Sequence, residues 1–565
     1  MTLRSPTSVA TAVGSALQAL GVRHVFGLVG SGNFDLAAAS HEAGVEFIAA
    51  RHEGAVVAMA DGYARATGEV GVATVHQGPG FTNTLTSVVE ATKSRTPLVL
   101  LAADTPHGDD LSNFAVDQEA MAVATGSPTM VLASAESALH DLARAFARAR
   151  CDRRAVTVLL PLDVQAGHPG SELPSWSSMT PSTTGKPGHP GSAAVSRAAD
   201  LIVESGRPVI VAGKGAFLAD ARTDLERLAE GIGGLVGTTA LAKGLFRGDP
   251  FDLGVIGGFA TPATVELVKE ADLVLAFGAS LNSWTTRHGD LMPPGAPVIQ
   301  VDDDVASIGV HHPIDMAIVG DARLTAGALL EELEARGHSS PGFRSREVER
   351  KIARRWRDEP YEDGSTPDHI DPRTFTIRLD ELLPAERTVA TDSGHFVAWP
   401  GWYLDVPDPH GFIFAQAFQS IGLGLGTAIG ALVGRPDRLT VAAVGDGGLL
   451  MACGELETIG RLGRPMLVVV YNDAAYGAEV HHFRPSGSTA ALVTFPDTDI
   501  AAVARAFGCE AATVRSLDDL GIVTEWLTRR DGPLVLDVKV EPSVVVPILE
   551  EAFWSEPEPE QAEPE

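Results

Sequence analysis

Residues 439–448 read LTVAAVGDGG and residues 466–474 read MLVVVYNDA, and these two stretches decide the fold. Each is a continuous apolar run of strand length ending in a polar cluster, Gly445-Asp446-Gly447-Gly448 in the first and Asn472-Asp473-Ala474 in the second. A helical stretch lies between them. Apolar runs without alternation suit strands buried on both faces, and strands separated by helices predict a parallel sheet covered on both sides. Ligands of such sheets bind beyond the carboxyl ends of the strands, where both clusters fall. Glycines beside Asp446 let the backbone approach a diphosphate, whose charge a helix N-terminus also favours. A carboxylate, an amide oxygen and a backbone carbonyl together make a hard oxygen set suited to magnesium. A lone GDGG is weak; the Asn 26 residues after Asp446, one helix and one strand later, is what strengthens it.

The same texture recurs upstream. Pro97–Ala102 and Ala155–Leu160 predict strands in a first block, and Pro208–Ala212 and Asp272–Phe277 in a second, so three α/β domains are expected. The Pro-, Gly- and Ser-rich run from Gln165 to Ser192 and the charged, proline-bearing run from Gly337 to Asp371 have the composition of exposed connectors. The expected boundaries are 1–170, a linker 171–190, 191–336, a linker 337–370, and 371–550. The last residues, 551–565, form an acidic Glu-Pro tail expected to be disordered.

Composition narrows the function. The chain has 565 residues, 45% of them apolar, and a formal charge of −30, which leaves no basic excess to neutralise nucleic-acid phosphates. Cys151, Cys453 and Cys509 match no metal or redox spacing. Residues 1–10 lack the order of a signal peptide, and no apolar run approaches a membrane span, so a cytoplasmic protein without membrane partners is expected.

The spacing from Asp446 to Asn472 resembles the thiamine-diphosphate motif, which begins GDG and ends in Asn. The first block adds Arg51-His52-Glu53-Gly54-Ala55, with Glu53 opening a small-residue helix after a strand-like run, and the Gly78–Gly80 turn followed by Phe81-Thr82-Asn83. These segments resemble the acetohydroxyacid (acetolactate) synthase-like thiamine enzymes. The likeness runs to about residue 545: a pyrimidine-binding, a central and a diphosphate-binding domain. It implies thiamine diphosphate held by magnesium on Asp446, Asn472 and the Ala474 carbonyl, with Gly445, Gly447 and Gly448 at the diphosphate. Glu53 would bond the aminopyrimidine and drive its imino tautomer, acid–base work on the cofactor itself. Ile421, in Gln419-Ser420-Ile421-Gly422, falls where the family wedges a bulky side chain between the two rings. Gly394 and His395, in Thr391-Asp392-Ser393-Gly394-His395, stand near the diphosphate; His395 donates to phosphate there or is a satisfied loop histidine. Tyr476 and Gly477 complete the cofactor loop. The family builds each site from two subunits, so a homodimer or homotetramer is implied.

Departures bear on the reaction. Synthases carry Gln where this chain has Asp104. Their flavin segment resembles GARFDDR, whereas residues 278–284 read GASLNSW and the related glycine-rich stretch reads Gly257-Gly258-Phe259-Ala260, which puts FAD in doubt. The synthases' Trp after the Asn loop is missing; Tyr476 through His482 stand there. His76 matches instead a histidine of benzoylformate decarboxylase-like members and is either a proton donor or structural. Their second histidine has no counterpart at matching spacing, His288 being only close. His481 and His482 are adjacent, so their side chains diverge and do not share one ion readily. Gln77, Asp104 and Asn113 are substrate-pocket candidates.

The reading that follows is decarboxylation of a 2-keto acid, carboligation to an aldehyde or keto acceptor, or both: a lyase or transferase. A benzoylformate-type, aldehyde-releasing lyase is the alternative. A non-catalytic partner of a synthase is a third reading, against which Glu53, Asp446 and Asn472 stand. A nicotinamide dehydrogenase is poorly supported, because Ala212-Gly213-Lys214-Gly215 lacks a full G-x-G-x-x-G.

Overall fold

Among the described residues, eighteen strands form three six-stranded sheets, and every strand pair within them is parallel. The computed structural model describes residues 7–169, 188–483 and 489–546. The first sheet comprises β1 (His24–Gly27), β2 (Glu46–Ala49), β3 (Gly71–Val75), β4 (Leu98–Asp104), β5 (Thr129–Val131) and β6 (Ala155–Pro161). The second comprises β7 (Pro208–Ala212), β8 (Leu235–Thr238), β9 (Asp252–Val255), β10 (Leu273–Phe277), β11 (Val298–Asp302) and β12 (Met316–Val319). The third comprises β13 (Arg387–Thr391), β14 (Phe412–Phe414), β15 (Leu439–Gly445), β16 (Met466–Asn472), β17 (Glu510–Val514) and β18 (Pro533–Lys539). The apolar runs read as strands are strands, each shifted by at most two residues at an end. Central strands such as β6 and β16 are buried along their whole length, as runs without alternation require.

The first and third sheets are wound identically. Their orders, β2-β1-β3-β4-β6-β5 and β14-β13-β15-β16-β18-β17, both reverse direction between the first and third strands. The middle sheet, β12-β11-β10-β7-β8-β9, has instead the 3-2-1-4-5-6 order of dinucleotide-binding folds, reversing between β7 and β10. Loops that leave such a reversal in opposite directions open a crevice at the strand ends. Each outer domain therefore owns one natural binding crevice, flanked by the loops after β1 and β3, or after β13 and β15.

The two outer domains are locked together by the helices Glu53–Thr67 and Gly424–Gly434. A Cβ on Gly62 would lie 2.0 Å from the Thr427 carbonyl oxygen, and one on Gly430 1.9 Å from that of Met59. Glycine is needed there because backbones, not side chains, make the contact. The His52 ring caps the start of the first helix, its Nδ1 accepting the Gly54 N–H, and Gly68 ends it at φ 76°.

The expected connectors are more ordered than their composition suggests. Gln165 lies in the short helix Leu162–Ala166, with its side-chain amide donating to the Leu160 carbonyl. Residues 170–187 and the acidic tail 551–565 lie outside the described residues. Within 337–370 the helix Arg346–Ile352 forms, and Phe343 and Ile352 are buried against the middle domain. Trp356 and Ile370 of the same stretch pack against the third domain, so a few apolar side chains among many charges pin it to two cores.

Candidate functional site

In the third domain the loops after β13, β15 and β16 converge. Asp446 opens a short helix and is buried; Asn472, the last residue of β16, is buried beside it. Asn472 Nδ2 donates to Asp537 on β18 at 2.8 Å, which fixes the amide so that its oxygen accepts the Ala474 N–H at 3.1 Å. Ala474 sits at φ 54°, a left-handed backbone uncommon for alanine. Its carbonyl accepts the Phe495 N–H at 2.8 Å and keeps one lone pair. Asp473, not named from sequence, is the unexpected member. Burial and the neighbouring Asp446 carboxylate push it up to about 8, while burial pushes Asp446 up to about 6. Two buried carboxylates this close repel each other, and a divalent cation would relieve that repulsion. The donor set of Asp446, Asn472 and the Ala474 carbonyl fits magnesium on those grounds. Among the described residues no three His, Cys, Asp or Glu side chains form a metal site, and this set holds only one of those types.

The surrounding glycines are packed for a cradle. A Cβ on Gly447 would lie 2.6 Å from the Tyr476 ring, and one on Gly477 would strike both Asp473 and His395. His395 is buried, 3.7 Å from Asp473 and edge-on to His481; burial drives its ring down to about 3, so it is neutral. Gly445 lies under Phe396, two residues past Gly394 at φ 141°.

Asp392 was overlooked from sequence, and it organises this crevice. It is buried, and its Oδ2 accepts the Gly422 N–H at 2.8 Å while lying where a Gly448 Cβ would be. It thus ties the turn carrying Ile421 to the glycine loop. Glu90 of the first domain holds the same segment further back, accepting the Phe418 N–H at 2.7 Å, and Arg65 bonds both Glu90 and the Phe414 carbonyl.

The first domain supplies a second cluster at its own reversal. Glu53 begins its helix and accepts the Asn83 amide at 2.9 Å; its other oxygen lies 3.7 Å from where a Gly80 Cβ would be. His76, just past β3, also lies against Gly80 and Gly30. Its Nδ1 accepts the Gly32 N–H at 3.1 Å, so in the neutral ring the proton sits on Nε2. Phe114 packs edge-on against the ring with centroids 4.9 Å apart. Burial lowers the His76 pKa, an effect partly opposed by the Glu53 charge. Gln77 is buried against Gly32, and Asp104, at the end of β4, accepts the Thr105 N–H at 2.8 Å. Burial raises the Asp104 carboxyl. Asn113 is exposed, next to Phe114.

Among the described residues no hydrogen bond or ion pair joins the Glu53–His76 cluster to the Asp446–Asn472 cluster. Two polar clusters thus stand at matching reversals of two identically wound domains. Residues 7–121 match the thiamine pyrophosphate enzyme N-terminal TPP binding domain, 195–329 the central domain, and 392–538 the C-terminal TPP binding domain. The chain belongs to the thiamine pyrophosphate enzyme family. It is 29% identical to a probable acetolactate synthase large subunit of Methanocaldococcus jannaschii, over 96% of this chain and 93% of the relative. It is 29% identical to a sulfoacetaldehyde acetyltransferase of Castellaniella defragrans, over 89% and 87%. With a probable 2-ketoarginine decarboxylase of Pseudomonas aeruginosa it shares 30% identity, over 88% of each chain. No helix among the described residues is long and apolar enough to cross a membrane.

Proposed function

We propose that the chain binds thiamine diphosphate through magnesium, decarboxylates a 2-keto acid, and passes the acyl unit to an aldehyde or keto acceptor or releases it as aldehyde. Thiamine diphosphate supplies, when bound, a thiazolium carbon that adds to the keto group and takes up the electrons of decarboxylation. The chain's residues do the rest. Asp446, Asn472 and the Ala474 carbonyl would hold the metal against the diphosphate. The carboxylate of Glu53, oriented by Asn83, would bond the pyrimidine nitrogen and pass a proton there. Ile421, braced by Asp392, would keep the two rings bent. His76, whose neutral ring carries its proton on Nε2, would donate that proton when aldehyde is released.

The observation that carries this reading is the donor set at one strand-end crevice: the buried Asp446 carboxylate, the Asn472 amide oxygen fixed through Asp537, and the Ala474 carbonyl on a left-handed backbone. A non-catalytic partner would have no use for such a set. The experiment is a screen of 2-keto acids for carbon dioxide release with thiamine diphosphate and magnesium, with and without an acceptor aldehyde. No turnover of any 2-keto acid would overturn the proposal.

Completion of the site by a second copy follows from the exposed apolar side chains around both clusters. Phe34 and Phe114 stand out on the first domain, and Leu450, Met451 and Tyr476 on the third. Such surface is rarely left to water, and a homodimer or homotetramer would cover it. Flavin is a poor fit. Gly213 is pressed against Gly278, where an added Cβ would lie 2.2 Å from the carbonyl oxygen. The crevice at this middle-domain reversal holds about 60 Å3 and is lined by Asp302, Asp303 and Asp321, with Arg153 as its one cation, already paired with Asp303. Acidic walls repel a nucleotide's phosphates.

A further inference from the structure

Where the three domains of one chain meet, a cavity of about 150 Å3 lies away from both cofactor clusters. Its walls are apolar on most sides: Phe217 and Leu241 from the middle domain, Phe412 and Phe414 from the third. Cations line the remainder, namely Arg65, Arg150 and Arg153 from the first domain and Lys214 from the turn after β7. These four differ in how they are neutralised. Arg65 is paired with Asp61 and Glu90, and Arg153 with Asp303. Lys214 has no carboxylate within 4.0 Å among the described residues, and neither has the exposed Arg150.

Lys214 carries the argument. Its Nζ donates to the Ser94 carbonyl at 2.7 Å and to that of Arg95 at 3.3 Å, which uses two of the three donors of an ammonium. Both acceptors are neutral. A cation withdrawn from water without an anion is unfavourable, and burial accordingly brings this ammonium down to about 7. An anion in the adjoining space would meet the third donor at Lys214 and the free guanidinium of Arg150. The volume sets the size: a cavity of about 150 Å3 takes a body the size of one benzene ring.

We propose that this interdomain cavity is a binding site for a small carboxylate with a compact apolar body, its carboxylate on Lys214 and its body between Phe217, Leu241, Phe412 and Phe414. The site is separate from the catalytic one, yet β14, which forms one wall, runs directly into the 415–421 segment that carries Ile421. Arg65, another wall, bonds the Phe414 carbonyl at the start of that segment.

Benzoate is the probe, and benzamide is its uncharged counterpart of the same shape. Equilibrium dialysis of the cofactor-loaded protein should show saturable benzoate binding at one site per chain. Benzamide should bind roughly ten- to a hundredfold more weakly, the loss expected for one charge-assisted hydrogen bond. Lys214→Met keeps the side-chain length without the charge and should weaken benzoate to the same degree. Leu241→Trp fills the cavity while leaving every cation in place and should abolish the binding. Equal affinity for benzoate and benzamide in the wild type would overturn the proposal without recourse to any variant. So would the absence of saturable benzoate binding, or benzoate affinity unchanged in both variants, which would place the bound molecule elsewhere.

Discussion

Glu455, at the start of a third-domain helix, accepts the backbone N–H of Arg51 at 2.9 Å with the same oxygen that takes the His52 N–H at 3.0 Å. These are the two residues before Glu53. The third domain thus fixes where the helix opened by Glu53 begins, within one chain and through the two residues before it.

Two substitutions separate the roles. Glu53→Gln should still bind thiamine diphosphate but slow proton exchange at the thiazolium C2 by about a hundredfold or more, the size of a general acid–base contribution. Glu455→Ala should leave the carboxylate of Glu53 in place but mispositioned, lowering kcat by roughly ten- to a hundredfold. Exchange at the wild-type rate in Glu53→Gln would remove it from the chemistry.

Magnesium dependence tests the third-domain cluster. Asp446→Ala should abolish metal-dependent cofactor binding, because an anionic ligand is lost; Asn472→Ala should weaken it less. The pH dependence has a definite sign. Burial holds the Asp446 carboxyl up to about 6, and a ligand must shed its proton to take the metal. Magnesium affinity should therefore fall as the pH is lowered through the range in which the Asp446–Asp473 pair takes up protons, approaching about tenfold per pH unit for each proton displaced. Titration calorimetry at several pH values is the measurement, and affinity flat down to pH 5 would place the metal elsewhere.

Which features could be read in advance follows from where their causes lie along the chain. Asp446, Asn472 and Glu53 sit at ends of strands or helices whose apolar runs are local, so their placement was visible. Asp392, Glu90 and Glu455 act by accepting backbone N–H groups from segments far away in sequence; Glu90 and Phe418 are 328 residues apart. A carboxylate that bonds a distant backbone leaves no periodic or spacing signal. Asp473 was in plain view beside Asn472, but its meaning depends on its approach to Asp446, which only folding creates. The stretch 337–370 misled because charge count outweighed its scattered packing side chains, Phe343 and Ile352 on the middle domain and Trp356 and Ile370 on the third.

The contact between the outer domains gives a stability prediction. Gly430→Ala places a methyl group where the Met59 carbonyl oxygen stands and should cost about 1–3 kcal/mol by overpacking. Thermal unfolding followed by circular dichroism reads this directly. An unchanged midpoint would mean that the two helices separate without penalty.

The purified protein should show no flavin band in its visible spectrum, given the tight Gly213–Gly278 contact and the three carboxylates of the middle-domain crevice. Stoichiometric bound FAD would contradict this and bring the chain closer to the flavin-binding synthases.

In the proposed reaction His76 is expected to set the balance between aldehyde release and carboligation. After decarboxylation the acyl carbon either takes a proton or attacks a second carbonyl, and the first course needs a donor beside it. The Gly32 N–H occupies Nδ1, so the ring offers its proton from Nε2 alone. Gly30 and Phe114 pack the imidazole closely and leave it little freedom to turn. Burial lowers its pKa, so near neutral pH the ring is mainly uncharged, a modest rather than a strong acid. Aldehyde release should therefore increase relative to acyloin formation only at a pH low enough for a second proton to enter at Nδ1 and displace the Gly32 N–H, since the ring is then the stronger acid. His76→Ala should shift products toward acyloin by roughly tenfold or more and remove that pH dependence. Product analysis with one 2-keto acid and one acceptor aldehyde across pH decides it. If the variant keeps both the wild-type product ratio and its pH dependence, His76 holds the Gly32 turn in place and protonates nothing.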